Sequence, residues 1–186
     1  IRKKDRAIIV EGEFDVLSSF AAGVTNVVGI KGSAITEKQL KLLLRLTKHI
    51  TLCLDADAAG DKATKKGIAI ADELGMTVDV LEVKGGKDPD DIAREDPEAW
   101  ERLIKQAKSI YTFYIDSAVK AHDVETGPGK RAVTEEVIPI LAKISNSVEQ
   151  AHYNKQLAKA LQTQPKTVEV ELERYRREQE LSPSQR

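Results

Sequence analysis

Four short runs rich in branched aliphatic residues, AIIV at 7–10, NVVGI at 26–30, ITLCL at 50–54 and TVDVLEV at 77–83, are separated by longer stretches with helical spacing. Strand-length apolar runs alternating with helices are all buried when the strands lie parallel and the helices cover the sheet. The first hundred residues are therefore predicted to form an α/β fold with a four-stranded parallel sheet. Helices are expected at about 14–22, closed by Gly23, at about 36–47, opened by a Thr36 cap, and at about 59–74, closed by Gly75. Each connection is then a right-handed crossover.

From Asp96 the strands are expected to stop. Pro97 suits the first turn of a helix over 97–107, where a missing N–H costs nothing. Further helices are read at about 109–122, 131–144, 147–162 and 166–180, broken by HDVETGPGK, SNS and TQP. The expected division is an α/β domain over 1–104, an all-α bundle over 105–180 and a disordered tail over 181–186.

Composition removes several classes of function. The single Cys53 rules out an internal disulfide or a Cys-rich zinc site within these residues, and reads as a small core residue. His49, His122 and His152 lack ligand spacing and are assigned to the surface or to capping. No apolar run approaches the roughly 20 residues of a membrane span, so no membrane partner and a cytoplasmic setting are expected. Ile1 is not a natural start, and the chain is expected to be a piece of a longer protein. A formal charge of −1, with 16 Lys/Arg against 19 Asp/Glu over 1–104 and 13 against 11 over 105–186, argues against nucleic-acid binding by bulk electrostatics. It leaves open a site where metal ions, and not lysines, meet phosphates.

Ligands of an open parallel sheet bind beyond the carboxyl ends of its strands. Those ends read EGEFD, KGS, DADAAG and KGGKDPDD, and three of the four are acidic. Acids there also serve as helix N-caps, which accounts for Asp57 or Asp90 singly. It accounts poorly for the set, because two carboxylates 4 Å apart repel by about 4 kcal/mol at an effective dielectric near 20. Oxygen ligands without His or Cys point to Mg²⁺ or Mn²⁺.

Within EGEFD, Glu11 directly follows the strand and is a candidate general acid or base. Gly12 leaves room for a substrate backbone, Asp15 reaches the same edge one turn on, and Glu13 points to solvent. Asp55 and Asp57 face one side of an extended strand. Asp88 and Asp90 flank Pro89, and Asp91 is expected to cap the short helix that follows. Lys31 and Gly32 of KGS could present N–H groups to a phosphate, or form only a tight turn; Lys31 and Lys87 are the nearest cations for a nucleotide. Trp100, spaced with Leu103 and Ile104, reads as core.

A glutamate after the first strand, DxD after the third and DPD after the fourth resemble the Toprim fold of topoisomerases, primases and some nucleases. EGEFD with VLSSFAAGV, NVVGIKGSAIT, LDADAAG and KDPDDI narrow the resemblance to the bacterial DnaG-type primases, with residues after 105 resembling the helical part of their catalytic core. The resemblance implies synthesis of RNA primers from ribonucleoside triphosphates on single-stranded DNA during replication, through an RNA–DNA hybrid. It further implies Mg²⁺ or Mn²⁺ held by Asp55, Asp57, Asp88, Asp90 and Asp15, with Glu11 as the catalytic group. Ala58 departs from the arginine many relatives carry after DxD. The zinc ribbon, the basic template-gripping region and the helicase-binding region are expected to be absent. A monomer that binds metal but makes little primer alone follows, with the replicative helicase a partner of the full-length protein. The alternatives are a Toprim nuclease or topoisomerase fragment, or a non-catalytic module that docks the helicase.

Overall fold

A run in which every residue is buried belongs in the middle of a sheet, and AIIV behaves so: Ala7, Ile8, Ile9 and Val10 are each 2% exposed or less. The computed structural model describes residues 1–31, 35–55, 62–83 and 88–181. In it β1 (Ala7–Val10) is flanked on both sides by parallel partners, β2 (Val27–Gly29) and β3 (His49–Asp55), and β4 (Thr77–Val83) extends the sheet beyond β3.

The strand order is β2-β1-β3-β4-β5, where β5 is a two-residue strand, Lys108–Ser109, antiparallel to β4. The four parallel strands match expectation, but strands do not stop at Asp96. Two residues are too few for any periodicity to reveal, and only the pairings Asp79 with Ser109 and Val80 with Lys108 define β5. At the opening of the sheet, Arg6 and His49 converge on Asp79 at 2.9 and 2.7 Å. His49 is therefore a half-buried tie between strands and not a surface or capping residue.

Helix α1 (Glu13–Ala21) leads from β1 to β2, α2 (Glu37–Leu44) from β2 to β3, and α3 (Lys62–Glu73) from β3 to β4. Reversal of direction between β1 and β3 puts α1 on one face and α2 with α3 on the other. The packing agrees, since α1 lies against α4 (Pro89–Glu95) and α2 against α3. Ile8, Val10, Cys53, Leu81 and Val83 form one core layer with Ala93 of α4 and Trp100 and Ile104 of α5 (Pro97–Lys105). Helix ends follow the local chemistry: Thr36 and Gln39 make a reciprocal cap on α2, and Gly23 and Gly75 take positive φ after α1 and α3.

The chain divides into two compact units, Ile1–Ser109 and a second that begins at Ile110. The second contains α6 (Ile110–Ala121), α7 (Gly127–Leu141), α8 (Ser147–Ala160) and α9 (Pro165–Leu181). Helix α6 packs on α7 and α8, and α9 packs on the same two, a four-helix arrangement around Val133, Val137, Leu141, Leu157 and Val168. Helix α7 starts four residues before the expected 131. Thr126 caps it by accepting the Gly129 N–H at 3.1 Å, and Pro128 falls in the first turn, where proline does not break a helix. The expected tail, beyond Leu181, lies outside the described residues. Among the described residues no helix is long and apolar enough to cross a membrane.

Candidate metal centre

With β1, β2, β3 and β4 parallel, their carboxyl ends share one edge of the sheet, and the order reverses between β1 and β3. Glu11 follows β1 directly and is exposed, while Asp55 is the last residue of β3. Asp88 opens α4 beyond the end of β4. The side chain of Asp55, and the candidates Asp57, Gly32 and Lys87, lie outside the described residues.

Gly12 is the extended N-cap of α1, and Asp15 takes its N–H at 2.8 Å through Oδ2. A Cβ on Gly12 would stand 3.0 Å from that oxygen. The missing side chain therefore makes room for the Asp15 carboxylate, where the sequence suggested room for substrate. The second oxygen of Asp15, Oδ1, accepts the Asp90 N–H at 3.2 Å and so joins α1 to the first turn of α4. Burial pushes the Asp15 carboxyl up from its ordinary pKa. The N–H groups of Gly12 and Asp90 oppose that shift, and the charges of Asp88 and Asp90 add to it.

Asp88 is the N-cap of α4, accepting the Asp91 N–H at 2.7 Å. Asp91, expected to be the cap, lies within the first turn of the helix, because Pro89 starts the helix immediately after Asp88. A consequence is that Asp88, Asp90 and Asp91 come together, with an oxygen from each within 4.8 Å of the others. Ser18 of α1 donates its hydroxyl to Asp90 Oδ1. Arg94, one turn along α4, lies 3.5 Å from Asp90 and 3.7 Å from Asp91.

These donors are all carboxylate oxygens, and a fourth carboxylate, Asp15, sits in their field with its ionisation opposed. Such a set fits a hard divalent cation. Lys31, with φ of 50°, donates its backbone N–H to the Glu11 carbonyl at 3.0 Å and pairs its ammonium with Glu13 at 2.8 Å. Glu13 is thus exposed as expected, but paired. The geometry brings together Asp15, Asp88 and Asp90, and sets Lys31 beside Glu11. Asp91, Ser18 and Arg94 were missed. Arg94 is legible in retrospect as an i+4 partner of Asp90, whereas nothing in the spacing of Ser18 marks it.

Residues 8–93 match a family model described as Toprim-like, and residues 111–165 match one described as the DnaB-helicase binding domain of primase. The second match overturns the expectation that a helicase-binding region is absent. A DNA primase of Listeria innocua is 32% identical over 176 residues, which are 93% of this chain and 28% of that protein. The RNA polymerase domain of Mycobacterium tuberculosis primase, solved in complex with double-stranded DNA, aligns with a TM-score of 0.73 at 27% identity, covering 87% of this chain and 53% of that one. The zinc-binding and RNA polymerase domains of Aquifex aeolicus primase align with a TM-score of 0.68 at 30% identity, covering 90% and 40%. The chain thus spans little more than a quarter of the Listeria protein, 53% of the Mycobacterium structure and 40% of the Aquifex one.

Proposed function

Because the chain belongs to the bacterial DnaG-type primases, we propose that it supplies the metal-holding part of an RNA polymerase domain that makes RNA primers from ribonucleoside triphosphates on single-stranded DNA. The observation that carries this reading is the meeting of Asp15, Asp88 and Asp90 at the carboxyl edge of the sheet, where Glu11 follows β1 and Asp55 ends β3. The ligands assigned are Asp55, Asp57, Asp88 and Asp90, with Asp15 closing the set from α1, and the ion is Mg²⁺ or Mn²⁺. A bound ion supplies neutralisation of the triphosphate and activation of the primer hydroxyl.

The protein's own groups do the rest. Glu11, exposed at the end of a buried strand, is the group placed to take or give a proton at the reacting oxygens. Lys31, Gly32 and Lys87 are assigned to the nucleotide phosphates; for Lys31 this requires exchange of its exposed pairing with Glu13. The helical residues 111–165 are assigned to contact with the replicative helicase in the full-length protein. The nuclease and topoisomerase readings are set aside, since the relatives above are primases.

A chimera tests the activity. The Listeria innocua primase carrying this chain in place of the 176 residues it matches is expected to extend RNA on a single-stranded template. Glu11→Gln should lower that rate by about 10²-fold or more. Equal rates for the two chimeras would remove Glu11 from the chemistry. Mn²⁺ titrated into the chain and into Asp55→Asn/Asp57→Asn with unchanged affinity would remove those two ligands.

A further inference from the structure

We propose that Ser18, which lies outside the acidic motifs, is a positioning residue that acts with Asp15 to hold Asp90 in place for a divalent cation. The inference rests on the metal reading above and deepens it.

Helix α1 is built inside out. Phe14, Leu17 and Phe20 are 75%, 64% and 60% exposed, whereas Asp15 and Ser19 are buried at 9% and 0%. Turning carboxylate and hydroxyl groups inward while leaving phenylalanines in water is unfavourable unless the polar groups find partners. Among the described residues the Ser19 hydroxyl has no partner, whereas Asp15 and Ser18 share one. Asp15 Oδ1 takes the Asp90 N–H at 3.2 Å, and Ser18 donates to Asp90 Oδ1. Two residues three apart lie on one side of a helix, so a single turn of α1 grips Asp90 by both its backbone and its carboxylate.

This grip has a direction. The hydroxyl fixes one Asp90 oxygen, and the other faces the Arg94 guanidinium at 3.5 Å, a side chain 65% exposed and free to leave when a cation arrives. Asp15 accepts one backbone N–H on each of its oxygens. Each oxygen keeps a further lone pair, so Asp15 braces the Asp90 backbone while staying in the assigned set. Groups behind a metal ligand commonly change affinity by about 10–100-fold when removed.

The test uses the whole chain and two readouts. In isothermal titration with Mn²⁺, Ser18→Ala is expected to bind about 10-fold more weakly, and Ser18→Thr, which keeps the hydroxyl, to bind within about 3-fold of the parent. Ser18→Ala binding as tightly as the parent, or Ser18→Thr binding as weakly as Ser18→Ala, overturns the proposal. In metal-free protein, the Asp90 amide is expected to exchange with solvent at least about 10-fold faster in Asp15→Ala than in the parent, since it loses its acceptor. Equal exchange overturns the grip whatever the metal data show. A parent that takes up no Mn²⁺ while its Asp90 amide stays protected overturns instead the metal reading on which the proposal stands.

Discussion

At Gly12 the space of a side chain is occupied by another residue's carboxylate. Adding a methyl group there brings a carbon to 3.0 Å from Asp15 Oδ2, so the carboxylate must give way, and with it the bond to the Asp90 N–H. Gly12→Ala is expected to weaken Mn²⁺ binding by at least about 3-fold in a calorimetric titration, within the range for groups behind a ligand. Unchanged affinity would show that Asp15 has slack. Tyr114 offers a separate test through pH, since burial pushes its phenol up to about 12. The unfolded chain releases that proton near 10, so the contribution of the neutral phenol to stability is complete below pH 10 and is lost as pH rises toward 12. Ultraviolet titration should find a step near 12 for Tyr114, and Tyr114→Phe should abolish that step. Charged residues at this scale were the legible ones: Asp88, Asp90 and Glu11 announce themselves as acids at the ends of apolar runs. Ser18 carries no charge and breaks no pattern, so its bond to Asp90 emerges only when α1 and α4 are packed together.

Elements show where local chemistry decides and where packing overrides it. The GPG of α7 reads as a turn because glycine and proline interrupt most helices. Here Pro128 falls in the first turn, and Gly129 lies so close to the Asp123 carbonyl that a Cβ would come within 1.9 Å of its oxygen. Gly129→Ala is expected to destabilise the fold by about 1–3 kcal/mol in urea denaturation, through overpacking, although alanine favours helix. A stabilised variant would mean that the loop before α7 can move aside. Helix α1 is the opposite case. Its apolar residues have helical spacing and predict a helix correctly, yet Phe14, Leu17 and Phe20 face outward while Asp15 and Ser19 are buried. Phe20→Ser should therefore change stability by no more than about 0.5 kcal/mol, as at an ordinary surface site. A larger loss would show that this face is covered in solution.

The molecule contains two units with separate cores, and every described candidate for the metal centre lies in the first. That α/β organisation was readable from the sequence because four apolar runs of strand length had helices of the right size between them. The fifth strand was not, since two residues of β5 are recruited by pairing with β4 alone. The second unit was legible as helices but not as a match to a helicase-binding domain, because helical periodicity reports burial and not the identity of a partner. Leu157 is fully buried in the second core, so Leu157→Ala should cost about 2–5 kcal/mol in thermal unfolding. Mn²⁺ affinity measured well below the transition should stay at the parent value. The claim on which the whole account depends is that the carboxylates on one edge of the sheet share a hard cation. Anomalous diffraction from crystals soaked in Mn²⁺ tests it most directly. The expected result is a peak bonded to carboxylate oxygens of Asp88 or Asp90 at the start of α4, and strong peaks only elsewhere would contradict it.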